Sequence, residues 1–236
     1  MTNSLVRASV ALLIVSLAAV SAARANSITL VTLDTTPLTV APAASAGPFS
    51  LAFQLTDGSQ ASNNTALLSN FVFGGGSAGS GCPAALAPCA FGGASGDIAT
   101  SVILHDTSPF NAFVQTFTPG TFLSFRIDLT TNVDTGGTPD AFAFSVLDST
   151  GASIPTLDSS GADTLLSASI DSASLIFLAS ASDPTRNTQG GLGPSITTAA
   201  PIVTPQAPTA VPEPTSFLLL GTGVAGLIAR RRPEWL

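Results

Sequence analysis

An all-β domain, a β-sandwich of jelly-roll or immunoglobulin-like kind, is the fold this sequence predicts, and three observations predict it. Between residues 26 and 200 apolar side chains recur with period two, as in Leu51, Phe53 and Leu55, in Leu123, Phe125, Ile127 and Leu129, and in Phe142, Phe144 and Val146. Turn formers punctuate these runs at Asp57-Gly58, Gly74-Gly75-Gly76, Thr135-Gly136-Gly137 and Ser149-Thr150-Gly151. No segment of this region carries a convincing amphipathic helix pattern.

In chain order, residues 1–25 come first. Arg7 precedes the apolar stretch from Val10 to Val20, and Ala23-Arg24-Ala25 puts small side chains one and three positions before a cut ahead of Asn26. That layout is a secretory signal peptide, to be removed by signal peptidase. A retained anchor is the alternative, but an apolar core of about 11 residues is short against the ~20 that span a bilayer.

Strands follow at 27–33, 51–55, 67–73, 98–104, 113–118, 123–129 and 142–146, with one or two more across 165–177. Eight to ten strands between residues 26 and 200 can enclose a single core. Cys82 and Cys89 enclose Pro83-Ala-Ala-Leu-Ala-Pro88, too long a spacing for a CxxC redox or zinc motif. They read as a local disulfide made in an oxidising compartment, worth roughly 2 to 3 kcal/mol on the chain-entropy model, with two unpaired thiols as the alternative.

Residues 201–210, beginning Pro201-Ile-Val-Thr-Pro-Gln-Ala-Pro208, read as a proline-rich linker. Residues 211–236 then carry Val211-Pro212-Glu213-Pro214, an apolar run from Phe217 to Ala229, and Arg230-Arg231-Arg232. The prolines hold Glu213 in extended, accessible backbone, the apolar run enters the bilayer as a single transmembrane helix of about 215–229, and the arginines stop transfer on the cytoplasmic side. A span this short calls for bilayer thinning or snorkelling of the arginines.

These three parts in this order resemble the PEP-CTERM sorting tail, a region also labelled ice-binding protein C-terminal domain, with no bearing on ice. The resemblance implies that an exosortase recognises Pro212-Glu213-Pro214 and removes the tail, usually in Gram-negative bacteria that make extracellular polysaccharide. It implies a protein that is exported, transiently membrane-anchored, and finally at the cell surface or outside the cell. The four residues Pro233-Glu-Trp-Leu236 beyond the basic cluster depart from tails that stop sooner. Inside the tail, Gly221-Thr-Gly-Val-Ala-Gly226 matches the dinucleotide fingerprint GxGxxG, but no strand, βαβ unit or downstream acid accompanies it; close helix approach is the simpler reading. In the exported region, Gly47–Leu55, Ser124–Asn132 and Pro139–Asp148 resemble a family of PEP-CTERM proteins with no established activity. That likeness implies architecture and location but no chemistry.

Charge narrows the partners. Between the two targeting segments stand twelve Asp and no Lys, with only Arg126 and Arg186 as cations, a net charge of −10. Such a domain repels phosphate backbones, which excludes nucleic acid as a partner. Catalytic residue types are scarce: His105 is the single His, beside Asp106, and neither Ser101 nor Ser108 sits in a nucleophile elbow. Asp134, Asp140 and Asp128 flank the loop Thr135–Pro139, where carboxylates and carbonyls suit Ca²⁺, although Asp in a turn more commonly caps its own backbone. Sugar binding in β-sandwiches leans on exposed Trp and Tyr, both missing from this region, and its 13 Phe mostly alternate as core. The expectation is a non-enzymatic structural or adhesive component of the envelope or biofilm. The alternative is an extracellular polysaccharide-binding module, with or without calcium; an enzyme ranks third.

Overall fold

The computed structural model describes residues 26–40, 46–134, 137–171, 175–186 and 196–206. The signal-peptide expectations at Ala23 and Ala25, and the whole sorting tail with its expected membrane helix, lie outside these residues. Asn26, the expected first residue after cleavage, opens β1.

The described chain is nearly all β. Its elements are β1 (Asn26–Asp34), α1 (Thr36–Thr39), β2 (Phe49–Thr56), β3 (Thr65–Val72), β4 (Ser77–Ala78), β5 (Ala90–Phe91), β6 (Gly93–Asp97) and β7 (Ser101–His105), then β8 (Phe110–Thr118), β9 (Phe122–Thr130), β10 (Asp140–Leu147), β11 (Leu166–Ile170), β12 (Phe177–Ala179) and β13 (Ile202–Gln206). They form two antiparallel sheets. Sheet A runs β13-β1-β9-β3-β7-β6; sheet B runs β12-β11-β10-β2-β8-β4, with β5 also paired to β8.

Period-two alternation decides which face each strand buries. In β9, Leu123, Phe125, Ile127 and Leu129 are wholly buried while Ser124, Arg126 and Asp128 face out. In β2 and β10, Leu51, Phe53, Leu55, Phe142, Phe144 and Val146 turn inward. The two inner faces share one core, and aromatic rings tie them together. Phe125 of sheet A meets Phe53 and Phe144 of sheet B edge-on, at centroid separations of 5.4 and 5.1 Å, while Phe53 and Phe144 stack at 5.2 Å. Burying each such ring contributes a few kcal/mol, so this triad is a large single contribution to the core.

Three features differ from the sequence expectation. Ile98 is buried but sits in the turn before β7, so that strand starts only at Ser101. Strands β4, β5 and β6 are short and rich in Gly, Ala and Ser, below the length at which alternation is readable. Residues 202–206, expected as the start of the proline-rich linker, form edge strand β13 against β1, with Ile28 opposite Gln206 and Thr32 opposite Ile202. An edge strand tolerates Pro205, since only one side of its backbone must pair.

Candidate functional site

At the end of the sandwich where β1 and β3 begin, a dense network of acids and amides ties three loops together. Asp106 is buried directly after β7, and its Oδ2 accepts the backbone N–H groups of Asn63 (2.9 Å) and Asn64 (2.6 Å). Asp140, at the start of β10, accepts the Gly58 N–H at 2.9 Å and the Asn64 side-chain amide at 2.8 Å. A Cβ on Gly58 would lie 2.3 Å from the Thr138 carbonyl oxygen, which explains glycine there. Asn64 also donates to the Asn132 carbonyl, while its own carbonyl oxygen accepts from the Thr130 hydroxyl and the Asn132 N–H. Asp134 accepts the Ser59 hydroxyl and the Asn63 amide, and Asp57 accepts the Gln60 N–H. Burial pushes the Asp106 carboxyl above its ordinary value, and repulsion from Asp140 and Asp57 adds to this against the pull of the two backbone donors.

The residues considered for calcium thus meet different neighbours. Asp134 and Asp140 are joined through Asn63 and Asn64, whereas Asp128 lies on β9 and pairs with Arg126 at 3.4 Å. Each oxygen of Asp134 and of Asp140 accepts a hydrogen bond from a loop group. Among the described residues no three of His, Cys, Asp or Glu converge on a point suited to a metal.

His105 and Ser101 stand at opposite ends of β7, about 13 Å apart at the rise of a strand. His105 is exposed, and its Nδ1 lies 3.1 Å from the Thr65 hydroxyl. The Asp106 carboxylate, one residue on, is engaged by the Asn63 and Asn64 backbone. Ser108 contributes its carbonyl to the Asn111 amide.

The outer face of sheet B carries a feature that the sequence reading passed over. Across three neighbouring strands the outward positions are mostly small: Val114, Ala52 and Ser145 form one cross-strand row, and Ala112, Gln54 and Ala143 the next. They floor a trough of about 400 Å³. One wall is Leu86, Phe91 and Phe110, brought by the loop before β5, by β5 itself and by the start of β8; the other is formed by residues of the segment from Leu147 to Thr164.

The first wall is pinned. Cys82 and Cys89 form the expected disulfide, with Cα atoms 5.4 Å apart, and the loop it closes is bonded to β8 through Val114 N–H to the Cys89 carbonyl (2.8 Å) and Thr116 N–H to that of Gly81 (2.9 Å). Leu86 reaches across to Gly151, where a Cβ would lie 3.1 Å from it and where φ is +85°. Glycine meets both demands. The second wall is held by acids, of which Asp148 and Asp158 act on their own turns and Asp163 reaches a more distant segment. Asp148 accepts from the Thr150 N–H, the Thr150 hydroxyl and the Ala152 N–H. Asp163 grips Arg186 through two bonds of 2.7 and 3.0 Å. Hydrogen bonds from the Thr164 and Ser160 hydroxyls and from backbone N–H groups outweigh burial and hold the Asp158 carboxyl below its usual range.

The sequence holds the parts of this trough, a small residue at Ala52, Ala112 and Ala143 and a local Cys pair ahead of β8, but not their juxtaposition, which the strand register supplies. Phe110 is 51% exposed at its rim, so it is not among the Phe residues that fill the core.

The sorting residues Pro212, Glu213, Pro214, Arg230, Arg231 and Arg232 fall outside the described residues. No curated protein and no solved structure matches the chain. Residues 210–232 match the family model described as the PEP-CTERM protein-sorting motif, a segment that takes in the proline-flanked Glu213, the apolar run and the three arginines. The chain thus carries a PEP-CTERM protein-sorting motif near its C-terminus, and that motif implies export and processing by an exosortase.

Proposed function

We propose that this is an exported surface or extracellular-matrix protein with a structural or adhesive, non-enzymatic role, delivered by its signal peptide and released from the membrane by exosortase. The observation that carries the reading is the sorting motif at 210–232 following a two-sheet β domain. The domain reads as a jelly-roll sandwich. The order β1-β9-β3-β7 facing β2-β8 with β4 and β5 supports this, because the chain alternates between sheets as two interlocked Greek keys do. Separation of His105 from Ser101 and the use of Asp134, Asp140, Asp148 and Asp158 to hold turns support a role without catalysis or a metal.

Mass spectrometry of the protein recovered from its native host tests the reading. The expected product begins at Asn26 and lacks the apolar run, while a variant with Pro212, Glu213 and Pro214 all replaced by Ala keeps its tail and stays in the membrane fraction. A cytosolic protein with both ends intact would overturn it.

A second reading, an extracellular polysaccharide-binding module, is favoured by one observation, the walled trough on sheet B.

A further inference from the structure

We infer that the trough on the outer face of sheet B is a binding site for an uncharged saccharide. The inference rests on the second reading above and gives it a site and a ligand class.

Size comes first. A concavity of about 400 Å³ falls within the range of ordinary small-molecule sites. Its charge selects among ligands: none of its lining residues is ionisable, although the exported domain carries a net charge of −10. An anionic glycan approaches against that field, and a cationic ligand finds no carboxylate inside the trough to grip.

The distribution of polar atoms then separates a sugar from a lipid. Gln54 lies at mid-floor, between Ala112 and Ala143. Its Nε2 donates to the Thr56 hydroxyl at 2.7 Å, which leaves the carbonyl oxygen facing no partner among the described residues. Ser153 adds a hydroxyl from the second wall. An acyl chain would cover these groups without bonding them, at a cost for each polar atom left dry. A pyranose ring presents an apolar C–H face and an equatorial belt of hydroxyls. The former fits the Ala floor and the rings of Phe91 and Phe110; the latter fits Gln54 and Ser153.

The disulfide loop makes the site ready-formed. Leu86, held by the Cys82–Cys89 closure, meets Gly151 and keeps the walls at a fixed span before any ligand arrives.

The test is titration calorimetry on mature protein from the native host, against an array of neutral and acidic oligosaccharides and against laurate. A neutral oligosaccharide is expected to bind saturably. Ala143→Phe, which fills the floor, abolishes that binding; Gln54→Ala weakens it about tenfold, and Arg126→Ala, on the opposite sheet, leaves it unchanged. Circular dichroism verifies each fold, and Ser153→Phe, on the wall loop, serves in place of Ala143→Phe if the latter fails to fold. Glycan binding that survives the filling variants overturns the site but leaves the polysaccharide reading standing. Absence of binding to every glycan overturns both, and laurate binding alone, blocked by Ala143→Phe, overturns the saccharide class.

Discussion

The two sheets share a core but use their other faces in opposite ways. Sheet A turns Arg126, Asp128, Ser124, Thr32 and the exposed His105 outward, and these side chains bond to one another or to neighbours at long range, with Arg126–Asp128 and Thr32–Ser124 both at 3.4 Å. Sheet B turns out Ala52, Ala112, Ala143 and one amide, then raises a wall on either side. The same alternation therefore produces a solvated face in one sheet and a sheltered face in the other. What distinguishes them is side-chain volume at outward positions and the loops attached at the edges, not the pattern of burial within.

That contrast can be broken or sharpened by substitution. The largest effect is expected where the sheets meet: Phe53→Ala removes a ring stacked on Phe144 and edge-on to Phe125, and costs about 3–5 kcal/mol in urea unfolding. Equal loss from Phe125→Ala would show that neither sheet dominates the core. Next comes Asp106→Ala, which leaves the Asn63 and Asn64 N–H groups without their acceptor and costs about 2–3 kcal/mol.

Asp106→Asn separates the hydrogen bonds from the charge. Folded Asp106 keeps its proton to higher pH than the unfolded chain does, so stability falls as pH rises from the ordinary value of 3.8 through the raised one. Unfolding midpoints of the Asn variant across that window lack this fall. Asp97 and Asp158, held low chiefly by local hydrogen bonds, drive the opposite trend at more acid pH, where their stabilisation is lost as they protonate. Replacing Cys82 and Cys89 together with Ser costs about 2 kcal/mol and acts on the sheet B wall. Smallest of all is Arg126→Ala on the outer face of sheet A, expected within about 0.5 kcal/mol of the parent by the same denaturation measurement.

The core was legible because burying one face of a strand forces period two, and β2, β9 and β10 announced themselves in that way. Leu51, Phe53, Leu55 and the matching residues of β9 and β10 are buried where alternation put them. The edges were harder. Strands of two to five residues such as β4, β5 and β6 cannot display a period, and β13 resembles a linker because an edge strand keeps its prolines. The Asp turns were anticipated in kind, since Asp bonding its own backbone is local chemistry, but Asn64 meeting Asp140 and Asn132, and Asn63 meeting Asp134, depends on loops from distant strands. The trough was hidden for a different reason. Small outward residues read singly as filler, and only the cross-strand register shows them side by side. The sorting tail posed no such problem, because an enzyme that reads an ordered linear address needs no fold to make it legible.

Pairing β13 with β1 makes the last described strand of the exported domain the partner of its first. The rim of β1 that does not face β9 therefore has no strand neighbour until residues 202–206 are in place. Sheet A is thus completed by the stretch just ahead of the sorting motif, so the strand that closes the sheet and the address that follows it are neighbours along the chain.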